Sequence, residues 1–253
     1  MANERMNARR DFIRSSTVIG AGLLLTGCGR GAGSPEPGMP AQAGSGKPDN
    51  NNQTEVTASE DLMREHGVLR RALLVYTEIV PRLRSKPSNI PPETLASTAR
   101  LFRTFGEDYH ESKLEEAYIF PAVRQAGGPA AALADVLTVQ HQRGRQITDY
   151  ILAASQKGRL DSADVEPLAR SLESLVLMYR NHAAREDTIL FPSWKQSLSA
   201  KQYDELGDKF EEIERQTFGT DGFDDAVRQI SEIEANLGLA DLGQFTAPLP
   251  SNA

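Results

Sequence analysis

Apolar residues recur along this chain at spacings of three and four, and no stretch alternates as a half-buried strand would, so the pattern predicts helices throughout. The first begins at Thr57-Ala58-Ser59-Glu60, a capping-box pattern. It places Leu62, His66, Leu69, Leu73 and Tyr76 on one face and ends near Arg84. Ser88 to Glu93 reads as a connector with proline in the first turn of the next helix, which runs to about Gln125 before Gly127-Gly128. A third helix is expected from Pro129 to Lys157, stopped by Gly158. A fourth is capped within Asp161 to Asp164 and carries Leu172, Leu175, Met178, His182, Glu186 and Ile189 along one face to about Leu198. Short connections make an antiparallel up-and-down four-helix bundle the simplest all-α architecture. One or two extra C-terminal helices follow: Ala200 to Gln216, with Tyr203, Leu206, Phe210 and Ile213 on one side, and a shorter one from Asp224 to Ala235.

The ends of the chain differ from this body. Arg9 and Arg10 precede the apolar run Val18 to Leu25, which is too short to span a bilayer and resembles a twin-arginine export signal. Leu25-Thr26-Gly27-Cys28 follows and resembles a bacterial lipobox, in which the cysteine is acylated; Cys28 is the single cysteine of the chain. Residues 29–56 are rich in Gly, Pro, Ser, Ala, Gln and Asn and cannot bury enough apolar surface to order themselves. The expected organisation is an export signal over 1–28, a tether over 29–56, a four-helix domain over 57–198 and a helical extension with a loose tail over 199–253. The expected location is the periplasm or cell envelope, membrane-anchored through the lipid. A formal charge of −7 argues against nucleic-acid binding, and nothing in the chain names a protein partner.

The chemistry lies in an internal repeat. The second helix reads His110-Glu111-Ser112-Lys113-Leu114-Glu115-Glu116-Ala117-Tyr118-Ile119-Phe120-Pro121, and the fourth reads His182-Ala183-Ala184-Arg185-Glu186-Asp187-Thr188-Ile189-Leu190-Phe191-Pro192. Aligned on Phe-Pro, Glu115 and Glu186 share a register. The first and third helices match more weakly at Glu65-His66 and Gln140-His141. A lone histidine on an apolar helix face is usually a satisfied core residue. Here all four histidines of the chain fall one per helix at repeat-related positions, two with a carboxylate about one turn downstream. Imidazole with carboxylate and no thiolate suits iron, with manganese second, and four His with two Glu suit two ions better than one.

His66, His110 with Glu115, His141, and His182 with Glu186 resemble the ligand pattern of the hemerythrin-like, HHE cation-binding family, over about Glu60 to Leu198. The resemblance implies two non-heme iron ions, one held by His66 and His110 and the other by His141 and His182, with Glu115 and Glu186 bridging. Two departures stand out. Oxygen-carrying hemerythrins place two histidines a turn apart on the third helix, whereas the neighbours of His141 at that spacing are Leu137 and Arg145. Five residues also separate His110 from Glu115, against four in the other half, so on an ideal helix the two side chains would diverge by about 140°. A local π-bulge would realign them; Glu111 competes for the bridging role or backs a ligand. The function implied is binding or reduction of a small diatomic or peroxide ligand. A lipid-tethered oxygen or iron sensor without turnover is the alternative, so enzymatic activity is left open.

Overall fold

The structure is a computed structural model that describes residues 56–87, 90–156 and 160–250. The export signal, Cys28 and all but the last residue of the tether lie outside the described residues. The described residues from Thr57 onward belong to one compact unit and contain helices but no strand.

Helix α1 spans Ala58–Ser85 and starts on the expected capping box, the Thr57 hydroxyl accepting from the Glu60 amide while Glu60 reaches back to the Thr57 amide. Helix α2 covers residues 92–126 in three consecutive segments: Pro92–Leu101, a π-helical Phe102–Ile119, and Phe120–Ala126. Gly127 and Gly128, both at positive φ (76° and 77°), turn the chain into α3, Pro129–Ser155; residues with a Cβ would be strained at both points. Helix α4 covers residues 162–196 as Ser162–Arg185, a π-helical Glu186–Leu190, and Phe191–Gln196. Asp161 occupies its N-cap position, but its side chain makes no capping hydrogen bond. Helices α5 (Ala200–Phe218) and α6 (Gly222–Leu237) follow.

Helix α1 packs on α4 and α2, and α3 packs on α2 and α4, so the four long helices close a ring around a shared core. Helix α5 lies against α1 and α2: Tyr203 accepts from the Ser59 amide at 2.8 Å, and Phe210 stacks on the fully buried Trp194 with centroids 5.8 Å apart. Helix α6 is tied to α1 by Arg71 to Glu234 at 2.9 Å and by Arg82 to the Leu237 carbonyl at 3.0 Å. After the short 3₁₀ turn Leu242–Phe245, the residues to Pro250 carry no regular structure and are exposed. No helix among the described residues is long and apolar enough to cross a membrane.

The first π-helical segment, of 18 residues, is longer than the single local bulge expected, and it is the ends of the two segments that share a feature of the sequence. Each ends immediately before a Phe-Pro pair, and a proline ring collides with the carbonyl four residues back in a regular α-helix. Widening the turn relieves that collision: the Phe120 amide bonds the Glu115 carbonyl and the Phe191 amide bonds the Glu186 carbonyl, both five residues back. The second widening corrects one sequence expectation. Past Glu186 the face shifts by a residue, so Ile189 is 44% exposed while Leu190 is fully buried.

Candidate metal centre

The six expected ligands converge at the middle of the bundle, and all are at least 98% buried. His66 comes from α1, His110 and Glu115 from α2, His141 from α3, and His182 and Glu186 from α4. The widened turn puts Glu115 on the same side of α2 as His110, with Glu115 Oε1 3.4 Å from His110 Nε2.

The imidazoles form two pairs. Nε2 of His66 lies 3.0 Å from Nε2 of His110, and Nε2 of His141 lies 3.1 Å from Nε2 of His182. Each carboxylate spans both pairs. Glu115 directs Oε1 at His110 and Oε2 at His141 (3.3 Å), while Glu186 directs Oε2 at His66 (3.5 Å) and Oε1 at His182 (3.0 Å). None of these four oxygens has a hydrogen bond of acceptable geometry, although each faces a nitrogen. Four orphaned, fully buried carboxylate oxygens would be costly in a protein without a cation.

The outer nitrogens explain why the inner ones are free. His66 Nδ1 meets Asp187 at 2.7 Å, His110 Nδ1 meets Glu65 at 2.6 Å, His141 Nδ1 meets Glu116 at 2.8 Å, and His182 Nδ1 meets Gln140 Oε1 at 2.9 Å. Each acceptor fixes the tautomer that carries its proton on Nδ1 and turns the Nε2 lone pair inward. Two facing lone pairs 3 Å apart repel unless a cation lies between them. With a nitrogen-to-metal bond of about 2.1 Å, two nitrogens 3.0 Å apart subtend about 90° at a shared ion, the angle between neighbouring ligands of an octahedron. The donors gather in two groups that could each hold a metal ion, Glu115 with His141, His182 and Glu186, and Glu115 with His66 and His110.

When protons rather than metal occupy this centre, the charges show in the imidazoles. Burial opposes a charge on His110, but Glu115 and Glu65 outweigh it and hold His110 well above the usual imidazole range. Burial likewise opposes a charge on His141, yet Glu111, Glu115 and Glu116 push it up to about 10.

Phe120 stacks on His141 and Phe191 stacks on His66, with centroids 5.2 and 5.4 Å apart. The Phe-Pro signature thus sets a phenylalanine ring against one imidazole in each half of the repeat. Glu111 is buried but turns away from the Nε2 atoms. It accepts from the Tyr179 hydroxyl at 2.7 Å, its other oxygen lies 3.3 Å from Arg145 Nη2, and it stands behind His141 at 3.9 Å from Nδ1. Arg145 also pairs with Glu116 at 2.8 Å. A cavity of about 10 Å³ adjoins the ligands and is bordered by Leu69, Arg70, Leu73, Tyr179 and Ala183. The residues that sequence reasoning left without a role are Asp187, Glu65, Glu116 and Gln140. Each is the immediate neighbour of a ligand in the chain.

The family model for the hemerythrin HHE cation-binding domain matches residues 57–194, the span that carries all six of these histidines and glutamates. The chain belongs to that family. Uncharacterized proteins of Mycobacterium tuberculosis and Mycobacterium bovis are each 39% identical to it over 241 residues, covering 94% of this chain and 90% of the relative. No solved structure matches the chain significantly. Membership of this HHE family carries metal-cation binding with it, and the His and Glu clusters are the groups that fit such a role.

Proposed function

We propose that this HHE-family chain is a non-heme di-iron protein that binds or reduces a small oxidant: dioxygen, peroxide or nitric oxide. The observation that carries the reading is the set of four buried oxygens of Glu115 and Glu186, each without a hydrogen bond and each facing a different imidazole Nε2. His66 and His110 would hold one iron, His141 and His182 the other, with the two glutamates bridging. Iron, when bound, supplies reversible one-electron chemistry and open positions for a small ligand. The chain's own residues do the rest. The four imidazoles present Nε2 because their Nδ1 atoms are tied back, and the bridging carboxylates would offset the charge of two cations in a buried core. Leu69, Leu73 and Ala183 restrict the adjoining space to a molecule of a few heavy atoms at most.

The reading extends to the whole chain. On this proposal the domain over 57–198 is an antiparallel up-and-down bundle held outside the cytoplasmic membrane by a lipid anchor, a reading supported by the likeness of Arg9-Arg10 and Leu25 to Cys28 to a twin-arginine signal and a lipobox. Reaction of the anaerobically reduced, iron-loaded protein with each oxidant tests the functional part. A change in the visible spectrum, stoichiometric with protein, is expected for at least one of the three. An iron-loaded protein that is inert to all of them would defeat the proposal.

A further inference from the structure

The contacts behind the imidazoles follow the internal repeat. The residue before the lone histidine of one helix reaches across to the histidine of the next: Glu65 to His110 at 2.6 Å, and Gln140 to His182 at 2.9 Å. The residue after each bridging glutamate reaches to the remaining histidine: Glu116 to His141 at 2.8 Å, and Asp187 to His66 at 2.7 Å. Three of the four acceptors are carboxylates. Gln140 is the exception, and it stands where the other half of the repeat has Glu65.

The bracing is unequal in the same sense. Tyr109, just before His110, donates to the second oxygen of Glu65 at 3.1 Å. Asn181, just before His182, instead bonds the Leu177 carbonyl of its own helix at 2.9 Å. Both remaining carboxylates share charge with an arginine, Asp187 with Arg70 and Glu116 with Arg145. Arg70 is the more exposed of the two, at 43% against 25%, so solvent screens it more.

A carboxylate behind an imidazole N–H makes the far nitrogen a stronger donor to a metal, and a neutral amide does so less. The pair His66 and His110 is backed by two carboxylates. The pair His141 and His182 is backed by Glu116 in hydrogen-bond contact, with Glu111 farther off at 3.9 Å and Arg145 offsetting both, and by one amide, Gln140. We propose that the two metal positions are unequal: the position between His66 and His110 fills first and keeps its cation, and the position between His141 and His182 fills second and exchanges it readily. This rests on the two-metal reading above and assigns the inequality to Gln140.

Anaerobic titration of the metal-free full chain with cobalt(II), followed by its visible bands against a competing chelator, tests this directly. The unsubstituted chain should bind two ions in two steps at least about tenfold apart in affinity, the lower end of what outer partners of ligands contribute. Gln140→Glu should strengthen the second step and bring the two within about threefold, and Glu65→Gln should narrow the gap by weakening the first. If Gln140→Glu does not fold, Glu65→Gln carries the test alone. Two ions bound with equal affinity, or a gap that neither substitution alters, would overturn the inequality and leave the two-metal reading standing. A chain that takes up one ion or none would overturn both.

Discussion

Glu115→Ala should remove most of the stabilisation that metal gives this protein, because Glu115 offers one oxygen to each metal position, near His110 and near His141. An ion held at a hundred times its dissociation constant stabilises the folded state by about 2.7 kcal/mol, so two ions contribute roughly 5 kcal/mol. In a domain of this size each kcal/mol moves the thermal midpoint by about 2–4 °C, so loading should raise the midpoint by about 10–20 °C. Without Glu115 both positions lose a ligand, and the rise should shrink to a few degrees. Glu111→Ala is the control. It strands the buried Tyr179 hydroxyl and removes a partner of Arg145, which costs roughly 1–3 kcal/mol. Most of that loss falls on the metal-free and loaded forms alike, so the metal-induced rise should shrink far less than in Glu115→Ala. Calorimetry of both variants, with and without iron(II) under anaerobic conditions, reads the difference. A full rise in Glu115→Ala, or its loss in Glu111→Ala, would refute the assignment of Glu115 as the bridge.

The protonation of the metal-free centre gives a second expectation. His141 is pushed up to about 10 against an ordinary 6.5, so its contribution to stability is complete below about pH 6.5 and is lost as pH rises towards 10. The thermal midpoint of the metal-free chain should fall over that window, while the loaded chain, whose Nε2 atoms hold metal instead of protons, should lack this component; a flat metal-free profile would contradict it. Iron uptake near pH 7 should also release protons into a weakly buffered solution containing an indicator dye, and no release would count against protonated His110 and His141. For the anchor, Cys28→Ala should move the protein out of the membrane fraction, and Arg9→Lys with Arg10→Lys should leave precursor in the cytoplasm. Unchanged fractionation in both would remove the targeting argument.

Much of this arrangement is legible in the sequence, for identifiable reasons. The helix start at Thr57 follows from local capping chemistry, and the box is formed. The ligands stand out because a repeat places four scarce residues at matching positions. The widened turn at Glu115 is legible from the five-residue spacing, but the one after Glu186 is not, since His182 and Glu186 are regularly spaced. Its signal is Pro192, and the physical cause is the carbonyl clash that the proline would otherwise make. Ile189 was expected on the buried face for the same reason, as helical periodicity assumes a constant number of residues per turn. The partners of the histidines are adjacent to ligands in the chain, yet Glu65 serves His110 instead of its neighbour His66. That crossing depends on how two helices face each other, which no single-helix pattern encodes.

The central claim is that the chain holds two iron ions, and elemental analysis of protein purified from iron-replete cells tests it most directly. Close to two metals per chain, mainly iron, is the expected result, falling sharply in Glu115→Ala and Glu186→Ala. A fully folded protein that emerges from such cells with no metal would contradict the account.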